Sequence, residues 1–200
     1  MPLPNKKYDA NFTAGGILFN EFKSFEAVLL SSNFDELAEL EKDQNKFIGI
    51  STNSARKRII TEIKRRNKSA PKNFWENFFS WHQEEQRLAL FYLCLKTYPL
   101  IMDLHIEVAL KKYRVGSKLE AYDIQMRFEE IMSYDDVVAS WSLSTIKRLN
   151  MQYRKALRDS GLYDAHKVLK KPSKPSNQFW DYFKNINEHW FLEACFKDKN

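Results

Sequence analysis

The stretch SYDDVVASWSLSTIKRLNMQYRKALRDSG, residues Ser133 to Gly161, decides how this chain folds. Ser133 followed three residues later by Asp136 reads as a capping-box-like start for a short helix. Ser142 or Ser144 opens the next helix. It runs to about Ser160, where Gly161 supplies the left-handed C′ position and Leu162 folds back. A short helix, a tight turn and a longer helix is the layout of a helix-turn-helix. On a wheel of about 100° per residue, Ile146, Leu149, Tyr153, Ala156 and Leu157 share one arc. Lys147, Arg148, Arg154, Lys155 and Arg158 share the opposite arc, with Met151 among them. One face therefore packs while the other presents five cations. Lys and Arg suit phosphate contact, and Arg can also read guanine. Ser144 and Thr145 at the helix start can donate to a phosphate beside the positive helix end. The bland alternative is a solvated basic face.

An earlier segment repeats the theme. Ser54 is expected to cap a helix through about Arg66. Lys57, Arg58, Thr61, Lys64 and Arg65 share one arc, and Ala55, Ile59, Ile60 and Ile63 the other, with Arg56 and Arg66 as exceptions. At an offset of 90 residues the two helices match in part: Lys57 with Lys147, Arg58 with Arg148, Lys64 with Arg154 and Arg65 with Lys155. Two similar basic heads is the safe statement. Net charge is +6, but it is not evenly spread. Residues 51–72 hold eight Lys/Arg and one acidic residue, and residues 144–174 hold nine and two, so these windows carry +14 against −8 elsewhere. An acidic body with two basic segments makes a directed field.

The rest of the chain reads as helical. Only 5 Gly and 6 Pro occur in 200 residues, too few for the turns of an all-β chain. Leu18, Phe22, Phe25 and Leu29 recur at helical spacing after Thr13-Ala14-Gly15-Gly16. A short helix is expected over 34–41, and aromatic helices through Phe74–Trp81 and Leu88–Tyr98. Pro99 is a break, Gly116 a stop, and Ser176 caps a last amphipathic helix. The expected fold class is all-α, a multi-helix protein with helix-turn-helix-like N-terminal and C-terminal parts. Lys68-Ser69-Ala70-Pro71 is the expected boundary between an N-terminal head (1–70) and a C-terminal body (71–200) that contains the helix-turn-helix-like segment (133–161). The aromatic cluster reads as core.

Several function classes are excluded at this level. The longest apolar run, Leu88–Leu95, is far short of the roughly 20 residues a membrane span needs, and no apolar h-region follows the first residues. Cys94 and Cys195 lie far apart in apolar stretches, which points to a reducing, cytoplasmic setting. His82, His105, His166 and His189 show no ligand spacing, so neither a metal nor another cofactor is expected. Asp135 and Asp136 read as helix N-terminal residues rather than an acid/base pair. Gly15-Gly16 can form an anion nest, though a simple turn is the plainer reading. No enzyme activity is expected.

Two stretches carry a family resemblance. One is Thr13-Ala14-Gly15-Gly16-Ile17-Leu18-Phe19-Asn20-Glu21 after Tyr8, followed by Ser54-Ala55-Arg56-Lys57-Arg58. The other is Trp141-Ser142-Leu143-Ser144-Thr145-Ile146-Lys147-Arg148-Leu149, continuing through Leu157-Arg158-Asp159-Ser160-Gly161-Leu162. In order and spacing they resemble the BrxA family of bacterial BREX phage-defence systems. The resemblance implies a small, all-helical accessory protein with helix-turn-helix-like parts and some likeness to the NusB antitermination fold. It further implies association with double-stranded DNA and with other BREX proteins. It carries over Ser144, Thr145, Lys147 and Arg148, with Arg56, Lys57 and Arg58 in the first head. A homo-oligomer is compatible with the pattern, and no membrane partner is expected. Two rivals stand beside DNA binding: a protein–protein scaffold within the defence complex, and an RNA binder of NusB type.

Overall fold

The computed structural model describes residues 7–173 and 175–197. Residues 1–6, on which the reading of the N-terminus partly rests, and Lys174 of the second basic window lie outside the described residues. The fold is organised around the run Leu88–Leu95, in which every residue is buried. A helix apolar on all sides has to be surrounded, not laid on a surface. Element α6 (Gln83–Thr97) is therefore central, and its neighbours are α1 (Phe19–Ser24), α4 (Asn53–Asn67), α5 (Phe74–Ser80), α7 (Pro99–Leu104) and α11 (Leu143–Asp159). The remaining helices are α2 (Glu26–Leu29), α3 (Phe34–Gln44), α8 (Lys111–Arg114), α9 (Ala121–Met132), α10 (Asp136–Ala139), α12 (Asn177–Asn185) and α13 (Trp190–Ala194). A 3₁₀ turn covers Asn11–Ala14, and a π-helical segment, His105–Leu110, joins α7 to α8. The fold is all-α. Among the described residues there is no strand, only an isolated antiparallel bridge between Tyr163 and Leu169.

Local chemistry sets the ends of these helices. Ser142 caps α11, its Oγ accepting from the Thr145 amide at 3.2 Å. At the far end Gly161 sits at φ 78°. Its amide donates to the Arg158 carbonyl at 3.0 Å and the Leu162 amide to the Leu157 carbonyl at 2.9 Å, a full Schellman closure. Asp135, not Ser133, caps α10, accepting from the Val138 amide at 3.0 Å. α4 begins at Asn53, just before the expected Ser54 cap, with Thr52 in the N-cap position. Pro99 stands at the first turn of α7, where its missing N–H costs nothing.

One core crosses the boundary expected at Pro71. Phe12, Phe22, Phe25, Ile60 and Ile63 belong to the same buried cluster as Phe74, Leu90, Tyr98 and Phe183. Phe22 stacks on Trp75 at 5.2 Å, and Phe12 meets Tyr98 edge-on at 5.1 Å. The aromatic cluster of α5 is core as expected, with Phe74, Trp75 and Phe78 buried.

Polar side chains tie the helices together around buried Asp103 and His105. Asp103 accepts both arms of a bidentate Arg127 pair at 2.8 and 2.7 Å, joining α7 to α9, and Tyr8 donates to the same carboxylate at 3.1 Å. His105 lies at the start of the π-helical segment, fully buried. Its Nε2 is 2.7 Å from the Ala194 carbonyl, and its Nδ1 is 3.0 Å from the Tyr153 hydroxyl of α11. A carbonyl can only accept, so Nε2 carries the proton and Nδ1 accepts from Tyr153. Burial pushes His105 down to about 4, so the ring is neutral near pH 7.

Candidate nucleic-acid interface

The two basic helices converge on one short piece of backbone. The 3₁₀ turn Asn11–Ala14 lies against both α4 and α11. Thr13 is the point where they meet. Its hydroxyl donates to the Ala10 carbonyl at 2.9 Å and accepts from Arg58 Nη2 at 2.7 Å. Its carbonyl accepts from Arg148 Nε at 3.0 Å. Thus Arg58 of α4 and Arg148 of α11, 90 positions apart in sequence, are tethered to a single residue.

The following glycines are pinned from both sides. The Gly16 amide donates to Gln152 Oε1 of α11 at 2.9 Å, and the Gly15 carbonyl accepts from Arg66 Nη2 of α4 at 3.1 Å. The Gly16 backbone also runs close to α11, since a Cβ built there would lie 3.7 Å from the Ala156 amide nitrogen. With the Gly16 N–H committed to Gln152, the pair is a packed turn rather than an anion nest. Arg66 itself is wholly buried. Its Nε donates to the Tyr98 hydroxyl at 3.0 Å, and Tyr98 in turn bonds Glu62. A buried guanidinium needs such partners, because an uncompensated charge in the core is far too costly.

On α11 the sequence wheel matches the observed exposure. Ile146, Leu149, Tyr153, Ala156 and Leu157 are all buried. Ser144, Lys147, Arg148, Lys155 and Arg158 are exposed, and Arg154 is half-buried with its Nε on Asn150 Oδ1 at 2.9 Å. Lys155 pairs with Asp159, and Arg158 lies over the Tyr163 ring at 5.6 Å. Thr145 is half-buried; its amide is taken by the Ser142 cap, and its hydroxyl is 3.0 Å from Ser142 Oγ.

On α4 the match is partial. Lys57 and Arg58 are exposed. Lys64 is bound to Glu39 at 2.6 Å and Asp35 at 3.1 Å, and Arg65 to Asp9 at 3.1 Å. Hydrogen bonds from Lys42 and Lys64 pull Glu39 down to about 2. Arg56 corrects the sequence reading: it is 6% exposed, and its Nε and Nη1 donate to the Lys42 and Ile50 carbonyls, each at 2.8 Å. It holds the α3–α4 connection together and offers no surface charge. Part of the positive charge counted in residues 51–72 is therefore internal, in Arg56 and Arg66.

Sequence reasoning set Thr61 on the basic arc of α4 but missed Thr13, Gln152 and Lys68 as parts of this surface. Thr61 and Lys68 line a cleft of about 430 Å³ along α4, together with Glu39, Lys42, Lys64 and Arg65. Lys68 was readable as a further turn of the same arc, whereas Thr13 carried no local signal.

The fold and surface define a class: an all-α protein whose two basic helices both pack on one N-terminal 3₁₀ turn. The family model for BrxA matches residues 6–176, and the chain belongs to the BrxA family. It is thereby a BREX-associated protein. Among solved structures, a crystal structure of an uncharacterized protein from Magnetospirillum magneticum is similar, with a TM-score of 0.78 at 18% identity. The match covers 96% of this chain and 99% of that one, and at such identity it shows a shared fold. No curated protein matches the chain. Among the described residues, no helix is long and apolar enough to cross a membrane. Cys94 and Cys195 are both free and buried.

Proposed function

We propose that this BREX-associated protein is a non-enzymatic binder of double-stranded DNA, acting beside other BREX proteins. The observation that supports the reading is the Thr13 junction, where one arginine from each basic helix meets the same residue. Arg58 and Arg148 each spend a single nitrogen on Thr13, and Lys147 is exposed on α11. Such donors suit phosphate oxygens along a duplex backbone, and the long α11 has the dimensions to enter a major groove.

Titration of the full chain with duplex DNA, single-stranded DNA and RNA at several salt concentrations tests this. If about five phosphates are neutralised, log affinity against log salt has a slope of roughly −4.5 for the duplex. A slope near zero, or no duplex binding at low salt, overturns it. Tighter binding to RNA would favour the NusB-type reading. One feature favours the scaffold alternative: a groove of about 620 Å³ between the π-helical segment, α8 and α9, with Val108, Val115 and Met126 on its apolar lining. That reading expects a partner protein to bind while free DNA does not.

A further inference from the structure

Met151 is an apolar side chain at the centre of the cationic face of α11, where packing does not need it. It is 51% exposed, on the arc opposite the buried Ile146, Leu149 and Tyr153. At about 100° per residue, Ser144 and Arg158 fall within roughly 20° of it. Lys147 and Lys155 fall about 40° to either side, and Arg148 and Arg154 about 60°. Lys, Gln or Glu would serve the helix as well by propensity and would not expose apolar surface. A phosphate has no use for a thioether.

A helix about 10–12 Å across fills a major groove about 12 Å wide. Seated so that its flanking cations meet the two phosphate rims, α11 points its central residue at the groove floor. The apolar group presented there is the C5-methyl of thymine. We infer that Met151 is the base-contacting residue of α11, packing on thymine methyl groups and giving a charge-driven surface a preference for thymine. The inference rests on the duplex-DNA reading above. Met has no strong donor or acceptor with which to read a base edge, and its three rotatable bonds adapt to irregular surfaces. The preference is therefore for thymine content, not for a fixed site.

The test compares two duplexes of one sequence, one with thymine and one with deoxyuridine at every thymine, bound to the full chain at several salt concentrations. Burying one methyl group corresponds to about fourfold in affinity, so the thymine duplex is expected to bind about fourfold tighter for each methyl contacted. A methyl carries no charge, so the ratio should hold across salt and the two slopes should agree. Met151→Ala should abolish the ratio and keep the slope, while Met151→Leu should retain both. An unchanged melting temperature shows that the exposed position was altered without harm to the fold. Equal affinity of the parent chain for the two duplexes overturns the inference and leaves duplex binding standing. A ratio that survives in Met151→Ala also overturns it, because the methyl is then sensed elsewhere or through duplex shape. Absence of binding to either duplex at low salt overturns the inference and the DNA reading together.

Discussion

Lowering the pH should destabilise this protein through one buried ring. His105 is fully buried, neutral, and bonded at both nitrogens, to Tyr153 and to the Ala194 carbonyl. Burial lowers it from 6.5 to about 4. In the unfolded chain the imidazole takes a proton below about 6.5, whereas in the folded chain it stays neutral until about 4. Within that window the unfolded state binds more protons, so stability falls as pH falls. Each unit is worth about 1.4 kcal/mol, so by pH 4.5 the loss is roughly 2–3 kcal/mol. Against a typical total of about 5–15 kcal/mol, this is a large share. The assay is urea unfolding at pH 7 and pH 4.5 for the parent chain and for His105→Gln. Gln keeps one acceptor and one donor but does not titrate, so it should cost stability at pH 7 yet lose less on acidification. Equal losses in the two chains would refute the argument, because carboxylate titration is common to both.

Three further outcomes follow from the same structure. Changing Lys147, Arg148, Lys155 and Arg158 together to Glu should flatten the salt dependence of duplex binding by about 3–4 in slope, at about 0.9 per phosphate. Circular dichroism should show the helix intact, since Glu is a good helix former. An unchanged slope would transfer the binding role to Lys57, Arg58 and the cleft beside them. Leu149→Ala removes a wholly buried side chain and should cost about 2–5 kcal/mol in urea unfolding; a loss below about 0.5 kcal/mol would contradict its place in the core. Removing residues 1–70 strips Phe12, Phe22, Phe25, Ile60 and Ile63 from the shared core. The remainder should lose cooperative thermal unfolding, and a sharp transition in it would show an independently folding body.

The chemistry read from the sequence was most accurate where it was local. Gly161 and Leu162 close α11 as their spacing implied, because a Schellman end depends on a few consecutive residues. The apolar arc of α11 is buried in full, because a helical period maps directly onto a face. The reading weakened wherever a distant partner decided the outcome. The wheel set Arg56 among the apolar residues while the family resemblance carried it over as a contact; it lies inside, where the carbonyls of Lys42 and Ile50 take it. Arg66 is buried through Tyr98 and Gly15, 32 and 51 positions away. The junction at Thr13 spans 45 positions to Arg58 and 135 to Arg148. Periodicity carries no information over such separations, so the wheels yielded two basic faces but not their union.

That union has a kinetic meaning. A long arginine on an open helix samples many rotamers, and freezing it on a ligand costs about 0.5–1.5 kcal/mol. Arg58 and Arg148 have already met part of that cost, since Thr13 restrains both before any polyanion arrives. On the proposed duplex-binding reading, encounter with a phosphate ladder needs little rearrangement of these two side chains. Long-range attraction can set the association rate, which should fall steeply as added salt shortens its reach. On the proposed duplex-binding reading, an uncharged threonine sets where the two arginines stand when a phosphate arrives.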